Sequence, residues 1–177
     1  MKTITKISTS LFALVFVFGT YQTTYAAEYD TIVDAAVDND LTTLVELVTS
    51  AGLAGALSDT GADLTVFAPT NNAFNKIPRV LFRAIENDPS ILVEILKYHV
   101  APVNLMAEDV VMMDTIETLQ GEDISVRTVG NNVFLNTNAK VIAPDVETGN
   151  GTVHVINRVL IPWKEILPDI LRALGHR

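Results

Sequence analysis

Cysteine is absent from the 177-residue chain. This absence excludes disulfide bonds, cysteine metal ligands, a cysteine nucleophile and a lipid attached to an N-terminal cysteine. A domain of about 150 residues buries roughly 68–70% of the surface of its unfolded chain, so it does not need such cross-links. We therefore expect an ordinary apolar core to stabilise the fold.

Basic residues are also scarce, with 12 Lys and Arg against 21 Asp and Glu and a formal net charge of −9. Nucleic acids and anionic membrane surfaces both require clustered positive charge, so neither is an expected partner. Histidine occurs only as His99, His154 and His176. Their separation does not match the ligand spacing of a metal site, so no metal is predicted.

The chain has a single pronounced apolar run, at 11–18, close to the N-terminus. Lys2 and Lys6 precede this run, and the small residues Thr24 and Ala26 or Ala27, which suit a signal-peptidase cut, follow it. This order is typical of a secretory signal peptide, and the run is shorter than the ~18 residues of a membrane span. We expect residues 1–26 to be removed near Ala26, which leaves an extracellular or periplasmic protein without a transmembrane anchor.

Helical patterns dominate the first half of the remaining chain, and short strand patterns dominate the second. Leu41, Leu44, Val45 and Val48, for example, follow the spacing of one face of a helix. The predicted helices cover 30–37, 41–50, 53–57, 79–86, 90–97 and 107–113. The predicted strands cover 64–67, 98–100, 115–119, 124–128, 133–136, 141–146 and 152–161. This order predicts one α+β domain at 27–165, followed by an amphipathic tail at 166–177. We expect Pro168 to interrupt the amphipathic segment to which this tail belongs.

The stretch 65–74 reads Thr-Val-Phe-Ala-Pro-Thr-Asn-Asn-Ala-Phe. It predicts a strand that ends at the Pro69 corner and a short helix capped by Thr70 and Asn71. The stretch resembles the first signature box of fasciclin (FAS1) domains. Asn71 stands where that family usually has Asp.

Two further segments extend the resemblance in chain order. Residues 88–100 end in the Tyr-His pair of the family, and residues 150–162 resemble its second signature box, with Asn157 in place of the usual Asp. The resemblance implies a FAS1-like fold, in which a helical N-terminal half packs on a wedge or sandwich of short strands. The motif residues that it implies as scaffold are Thr65, Phe67, Pro69, Thr70, Phe74, His154 and Pro162.

Sequence motifs of hydrolases, metalloproteases, phosphate-binding loops and dinucleotide-binding folds are missing. We therefore predict that the protein is not an enzyme and uses no cofactor. His154 lies between two valines on a predicted strand, which favours a packed histidine bonded to the backbone.

Candidate partner-binding residues lie in two places. The resemblance associates Tyr98 and His99 with adhesion, and aromatic residues such as Tyr98 are enriched at interfaces. Pro144, Asp145 and Val146 resemble an integrin-binding motif of some animal fasciclin domains. The alternative for this second segment is a plain turn at the end of a strand, since Pro and Asp favour turns.

Two functions remain open. The first is a secreted interaction module for adhesion, with an extracellular protein or a matrix or biofilm polysaccharide as its partner. The second is a carrier of an apolar small molecule such as a carotenoid, which a subgroup of fasciclin proteins binds. A soft apolar cluster of Met106, Val110, Val111, Met112 and Met113 is compatible with either a core or such a groove.

Overall fold

Residues 29–173 are described by a computed structural model, in which helices fill the first half and strands most of the second. The helices are α1 (Ile32–Asp38), α2 (Thr42–Ser50), α3 (Ala54–Leu57), α4 (Asn71–Phe74), α5 (Arg79–Asn87), α6 (Pro89–Tyr98), α7 (Ala107–Val110) and α8 (Trp163–Ala173). The strands are β1 (Leu64–Pro69), β2 (Val100–Ala101), β3 (Thr115–Ile116), β4 (Ile124–Val129), β5 (Asn132–Leu135), β6 (Ala139–Thr148) and β7 (Gly151–Ile156). The predicted α+β class is confirmed. The predicted signal peptide lies outside the described residues, as does the end of the predicted tail.

The strands form one sheet in the order β2-β1-β7-β6-β5-β4-β3. β1 and β7 run parallel, and the other neighbours run antiparallel. The β1–β7 pairing places the two signature boxes side by side, with Phe67 opposite His154. The two motifs, which lie far apart in the sequence, therefore form two adjacent inner strands of the sheet, between β2 and β6.

Two apolar clusters cover the two faces of these two strands. Because side chains alternate along a strand, Val66 and Ala68 join the larger cluster beneath the helices, whereas Phe67 joins the smaller one. Ile91, Leu92 and the remaining helical residues of the larger cluster pack against the first face. β1 is buried on both faces, which explains its continuous apolar sequence.

The C-terminal helix corrects one prediction. Pro168 was expected to interrupt this segment, but α8 continues through it. An internal proline costs a helix about 3 kcal/mol. Ile166 and Ile170 are both buried in the larger cluster, and burying each contributes about 1.5–3 kcal/mol, which offsets that cost. The predicted boundary between domain and tail, at 165–166, falls inside this helix.

Several predicted ends also differ from the structure. Tyr98 was expected to begin a strand, but it is the last residue of α6, and the strand that follows is confined to Val100–Ala101. β7 ends at Ile156 instead of continuing to residue 161. The β-rich composition of these segments does not show at which residue strand pairing ends, because that residue depends on hydrogen bonds to other parts of the fold. Within residues 29–173, no helix has the length and apolarity needed to cross a membrane.

Candidate functional site

The corner at 65–74 is built into the interior. Thr70 Oγ1 accepts a hydrogen bond from Ala73 N at 3.2 Å and so caps α4, as the sequence predicts. Asn71 was expected to share that role, but its amide reaches a different helix. Its Oδ1 accepts from Thr43 N at 3.1 Å, and its Nδ2 donates to Asp40 O at 2.8 Å. Asn71 therefore caps the start of α2, whose own N-cap residue makes no side-chain hydrogen bond.

Thr65 ties β1 to the loop after β2. Its buried hydroxyl donates to Val103 O at 2.6 Å and accepts from Leu105 N at 2.8 Å. This loop leads into α7, so a motif residue on β1 holds the segment that precedes α7.

Tyr98 and His99 lie in the interior, where they are 3% and 2% exposed. The Tyr98 hydroxyl donates to Asp123 O at 3.1 Å and lies beside the Asn136 amide. His99 Nδ1 donates to Ile95 O at 2.7 Å, and its Nε2 accepts from Leu160 N at 2.9 Å. Their polar atoms are therefore committed to internal hydrogen bonds and are not presented at the surface.

His154 has similar surroundings. Its ring stacks on Phe67 with centroids 5.6 Å apart. Its Nε2 donates to Leu105 O at 2.9 Å, and its Nδ1 accepts from Asp145 N at 3.2 Å. Burial lowers the pKa of His154, although the Leu105 carbonyl and the Asp145 carboxylate partly oppose this effect. The imidazole is therefore neutral at physiological pH and connects β7 to both β6 and the loop before α7.

Pro144, Asp145 and Val146 form a bulge in β6. The register against β7 shifts between Ala143 and Val146, and Asp145 has a φ of +56°. Asp145 Oδ1 accepts from Ala107 N at 2.7 Å, so this carboxylate caps α7 from the neighbouring strand. The side chain remains exposed to solvent. The segment is therefore a bulge inside β6 and not the predicted turn at the end of a strand. Its carboxylate lies at the surface, and partner binding by Pro144, Asp145 and Val146 stays a prediction.

An open groove of about 410 Å³ lies between α7 and the β5–β6 hairpin. It includes Pro144 and His154 from the predicted sites and joins them to residues of the Met-Val segment. Its apolar wall consists of Val110, Val111, Val133, Val141, Ile142 and Pro144. Ile142 is 49% exposed, and the neighbouring Met112 is 87% exposed. We call this surface the Asp145 groove. Sequence reasoning missed Ile142 and Val133, because an apolar residue on a strand is normally assigned to the core.

A second apolar space lies under α1, α2 and α3. Its volume is about 80 Å³, and its wall includes Ile32, Ala36, Leu44, Val48 and Val153. Sites for small organic ligands usually measure about 300–1,000 Å³. This interior cavity is too small to support the interpretation of the chain as a carotenoid carrier.

The fold and its buried motif histidines define a scaffold domain of the FAS1 type, with open grooves on its surface. A family model described as the fasciclin domain matches residues 39–162. The chain belongs to the fasciclin domain family.

The chain is similar to whole proteins of this family. It is 39% identical over 132 residues to the uncharacterized protein sll1735 of a Synechocystis species, an alignment that covers 73% of this chain and 96% of the relative. It is 38% identical over 142 residues to the immunogenic protein MPB70 of Mycobacterium bovis, covering 75% of this chain and 69% of the relative. A solved FAS1 domain pair from the insect cell adhesion molecule fasciclin I aligns with a TM-score of 0.57 and 24% identity, over 71% of this chain and 46% of that chain. The likeness to this structure shows the shared fold.

Proposed function

We propose that the chain is a secreted, non-enzymatic interaction domain that acts in adhesion to cells, matrix or biofilm polymers. Its fasciclin family membership supports an adhesion-type role, since a solved relative with this fold is a cell adhesion molecule. The signal-peptide pattern at 1–26 supports secretion. The Asp145 groove is the observation that carries the proposal.

The groove has the composition of a protein-binding surface. Single exposed aliphatic side chains are common on proteins, but clusters of them are unusual and mark interaction sites. Val111 and Ile142 are 42% and 49% exposed and line the same groove. Asp145 follows the lining residue Pro144, and its Oδ1 accepts a hydrogen bond from the lining residue Ala107. Its other carboxylate oxygen can accept a hydrogen bond from a partner, for example from an arginine.

The bulge makes this surface rigid. Asp145 is held by its backbone N–H to His154 Nδ1 and by its carboxylate to Ala107 N. A partner therefore does not have to order the loop, and a preorganised surface binds more tightly than a mobile one.

The non-enzymatic part of the proposal rests on the histidines. Both ring nitrogens of His99 and of His154 are engaged with backbone groups, so neither ring is free to act as a general base. In the part of the chain that the structure describes, no three His, Asp or Glu side chains are grouped to hold a metal ion.

Attachment assays test the proposal. Cells of the source that lack the protein should adhere less to surfaces, and added purified protein should restore adhesion. Val111→Asp should weaken the restoration at least fivefold, because it places a charge in the Asp145 groove. Val80→Asp is the matched control, since Val80 is 67% exposed on α5 and does not line the groove. Unchanged adhesion of the deletion strain on several surfaces would contradict the adhesion role, and equal effects of the two variants would contradict the assignment of the groove.

A further inference from the structure

A second cleft lies next to the only tryptophan of the chain. Its volume is about 320 Å³, within the usual range for ligand sites. Three segments form it: the end of α4 with the turn before α5, the β5–β6 turn, and residues 158–163. We call it the Trp163 cleft. It shares no lining residue with the Asp145 groove.

The charge of this cleft is opposite to that of the whole protein. Lys76 and Arg158 line it and no acidic residue does, although the chain carries a net charge of −9. Lys76 Nζ donates to Asn157 O at 2.9 Å, which holds the ammonium next to Arg158 in the chain. Arg158 is exposed and takes part in neither of the two ion pairs between a Lys or Arg and a carboxylate among residues 29–173. Its guanidinium is available to an anion.

The cleft also has a flat apolar surface and uncharged polar groups. Trp163 is 49% exposed at the start of α8. Thr137 and Asn138 are exposed on the β5–β6 turn, which lines the same cleft. Asn136 supports this turn, because its Oδ1 accepts from Ser125 N at 3.1 Å and its Nδ2 donates to the Tyr98 hydroxyl at 3.1 Å. Tyr98 therefore contributes to this cleft from the interior, as a positioning residue.

We infer that the Trp163 cleft binds an acidic polysaccharide, a polymer whose sugar rings carry carboxylate or sulfate groups. The apolar face of a sugar ring packs on the Trp163 indole, and its hydroxyl groups hydrogen bond with Thr137 and Asn138. A carboxylate or sulfate pairs with the Arg158 guanidinium through two parallel hydrogen bonds, while Lys76 adds a second positive charge. The inference rests on the proposed adhesion function and names the polymer class.

An acidic peptide would satisfy the two cations equally well. The exposed indole and the hydroxyl and amide groups beside it favour a ligand that is both hydroxyl-rich and planar on its apolar side. A polysaccharide combines these properties with the negative charge in every repeating unit. Binding of poly-glutamate is therefore an outcome of the test and not part of the inference.

The single tryptophan provides the assay. Purified protein is titrated with polygalacturonate oligosaccharides and with heparin fragments, and Trp163 fluorescence is recorded, with neutral dextran and poly-glutamate as comparison ligands. We expect saturable changes with the acidic polysaccharides, none with dextran, and weaker binding as salt increases. Arg158→Gln should weaken binding at least tenfold, whereas Arg83→Gln, an exposed arginine of α5 outside the cleft, should not.

Trp163→Ala should abolish binding. Because this variant lacks the fluorescent residue, its binding is measured by calorimetry, and circular dichroism checks that it is folded. Three results would overturn the inference: no saturable change with either acidic polysaccharide, equally tight binding of poly-glutamate, or equal affinities of the Arg158 and Arg83 variants. If the deletion strain still loses adhesion in any of these cases, the adhesion function stands and only the polymer assignment fails.

Discussion

His99 joins the end of α6 to the segment after β7, and we expect its titration to make the fold sensitive to acid. Its ring is 2% exposed, donates from Nδ1 to Ile95 O and accepts at Nε2 from Leu160 N. A proton on Nε2 would place two N–H groups against each other and remove one of these bonds. Burial accordingly lowers the pKa of His99 to about 4.

The sign and size of the effect follow from this pKa. In the unfolded chain, histidine titrates near 6.5, so between pH 6.5 and 4 the unfolded state binds more protons than the folded state. The free energy of unfolding therefore falls as the pH falls through this range and is unaffected above it. A pKa difference of one unit corresponds to about 1.4 kcal/mol, so the free energy of unfolding falls by about 3 kcal/mol in total. Most of this loss is reached by pH 4.5. The lowered pKa of His154 acts in the same direction.

Urea unfolding, followed by circular dichroism at pH 7.5, 6.5, 5.5 and 4.5, measures this loss. His99→Gln removes the titrating ring and should lower stability at pH 7.5 by about 1–3 kcal/mol, because it cannot make both hydrogen bonds. Between pH 6.5 and pH 4.5, the free energy of unfolding of this variant should fall by about 2–3 kcal/mol less than that of the wild type. Equal slopes of stability against pH for the two proteins would refute the assignment to His99. His154→Gln serves as the second histidine variant and separates the two contributions.

Three other substitutions, with Gly55→Ala as a control, test the scaffold by urea unfolding. Gly151→Ala should lower the free energy of unfolding by about 4 kcal/mol or more, since its Cβ would lie 1.9 Å from Leu64 O at a φ of +146°. In Gly55→Ala the new Cβ meets no atom within 4 Å, so this control should raise the free energy of unfolding by about 1 kcal/mol. Similar unfolding midpoints for the two variants would contradict this. Asn150→Ala should cost about 3–5 kcal/mol, because the Asn150 amide accepts two hydrogen bonds and donates two in the interior, and an unchanged midpoint would contradict it. Asn71→Asp keeps an acceptor but loses the donated bonds and should cost about 1 kcal/mol; a more stable variant would mean that the added charge at the helix start dominates.

The fold could be predicted because its central contacts lie inside short, continuous motifs. The box at 65–74 contains all of β1 except its first residue, together with the proline corner and α4, and the box at 150–162 contains β7. Each box has the local propensities of its own elements, so the strand and the cap appear in the sequence itself. The parallel pairing of Phe67 with His154 then follows from the family fold and not from any pattern within either box.

The surface could not be predicted in the same way. Tyr98 and His99 have side chains that suit an interface, but the turn from α6 into β2 directs both of them inward. Conversely, Ile142 has a core-like side chain, yet the shift in register along β6 leaves it half exposed. Exposure here depends on strand register and on bulges, which arise from tertiary pairing and leave no mark in a local pattern.

The two open surfaces differ from the motifs in one physical respect. In the motifs, polar side chains such as Thr65 and Asn150 form hydrogen bonds with buried backbone groups. Among the described residues, every buried polar side-chain atom has a hydrogen-bond partner. At the surfaces, Arg158 and one oxygen of Asp145 retain unused hydrogen-bonding capacity beside exposed apolar side chains. Because binding needs polar groups that are still free to pair, recognition by this domain should depend on exposed residues such as Asp145 and Arg158 and not on the buried residues of the two boxes. Relatives that share the boxes can therefore share the fold while differing in what they bind.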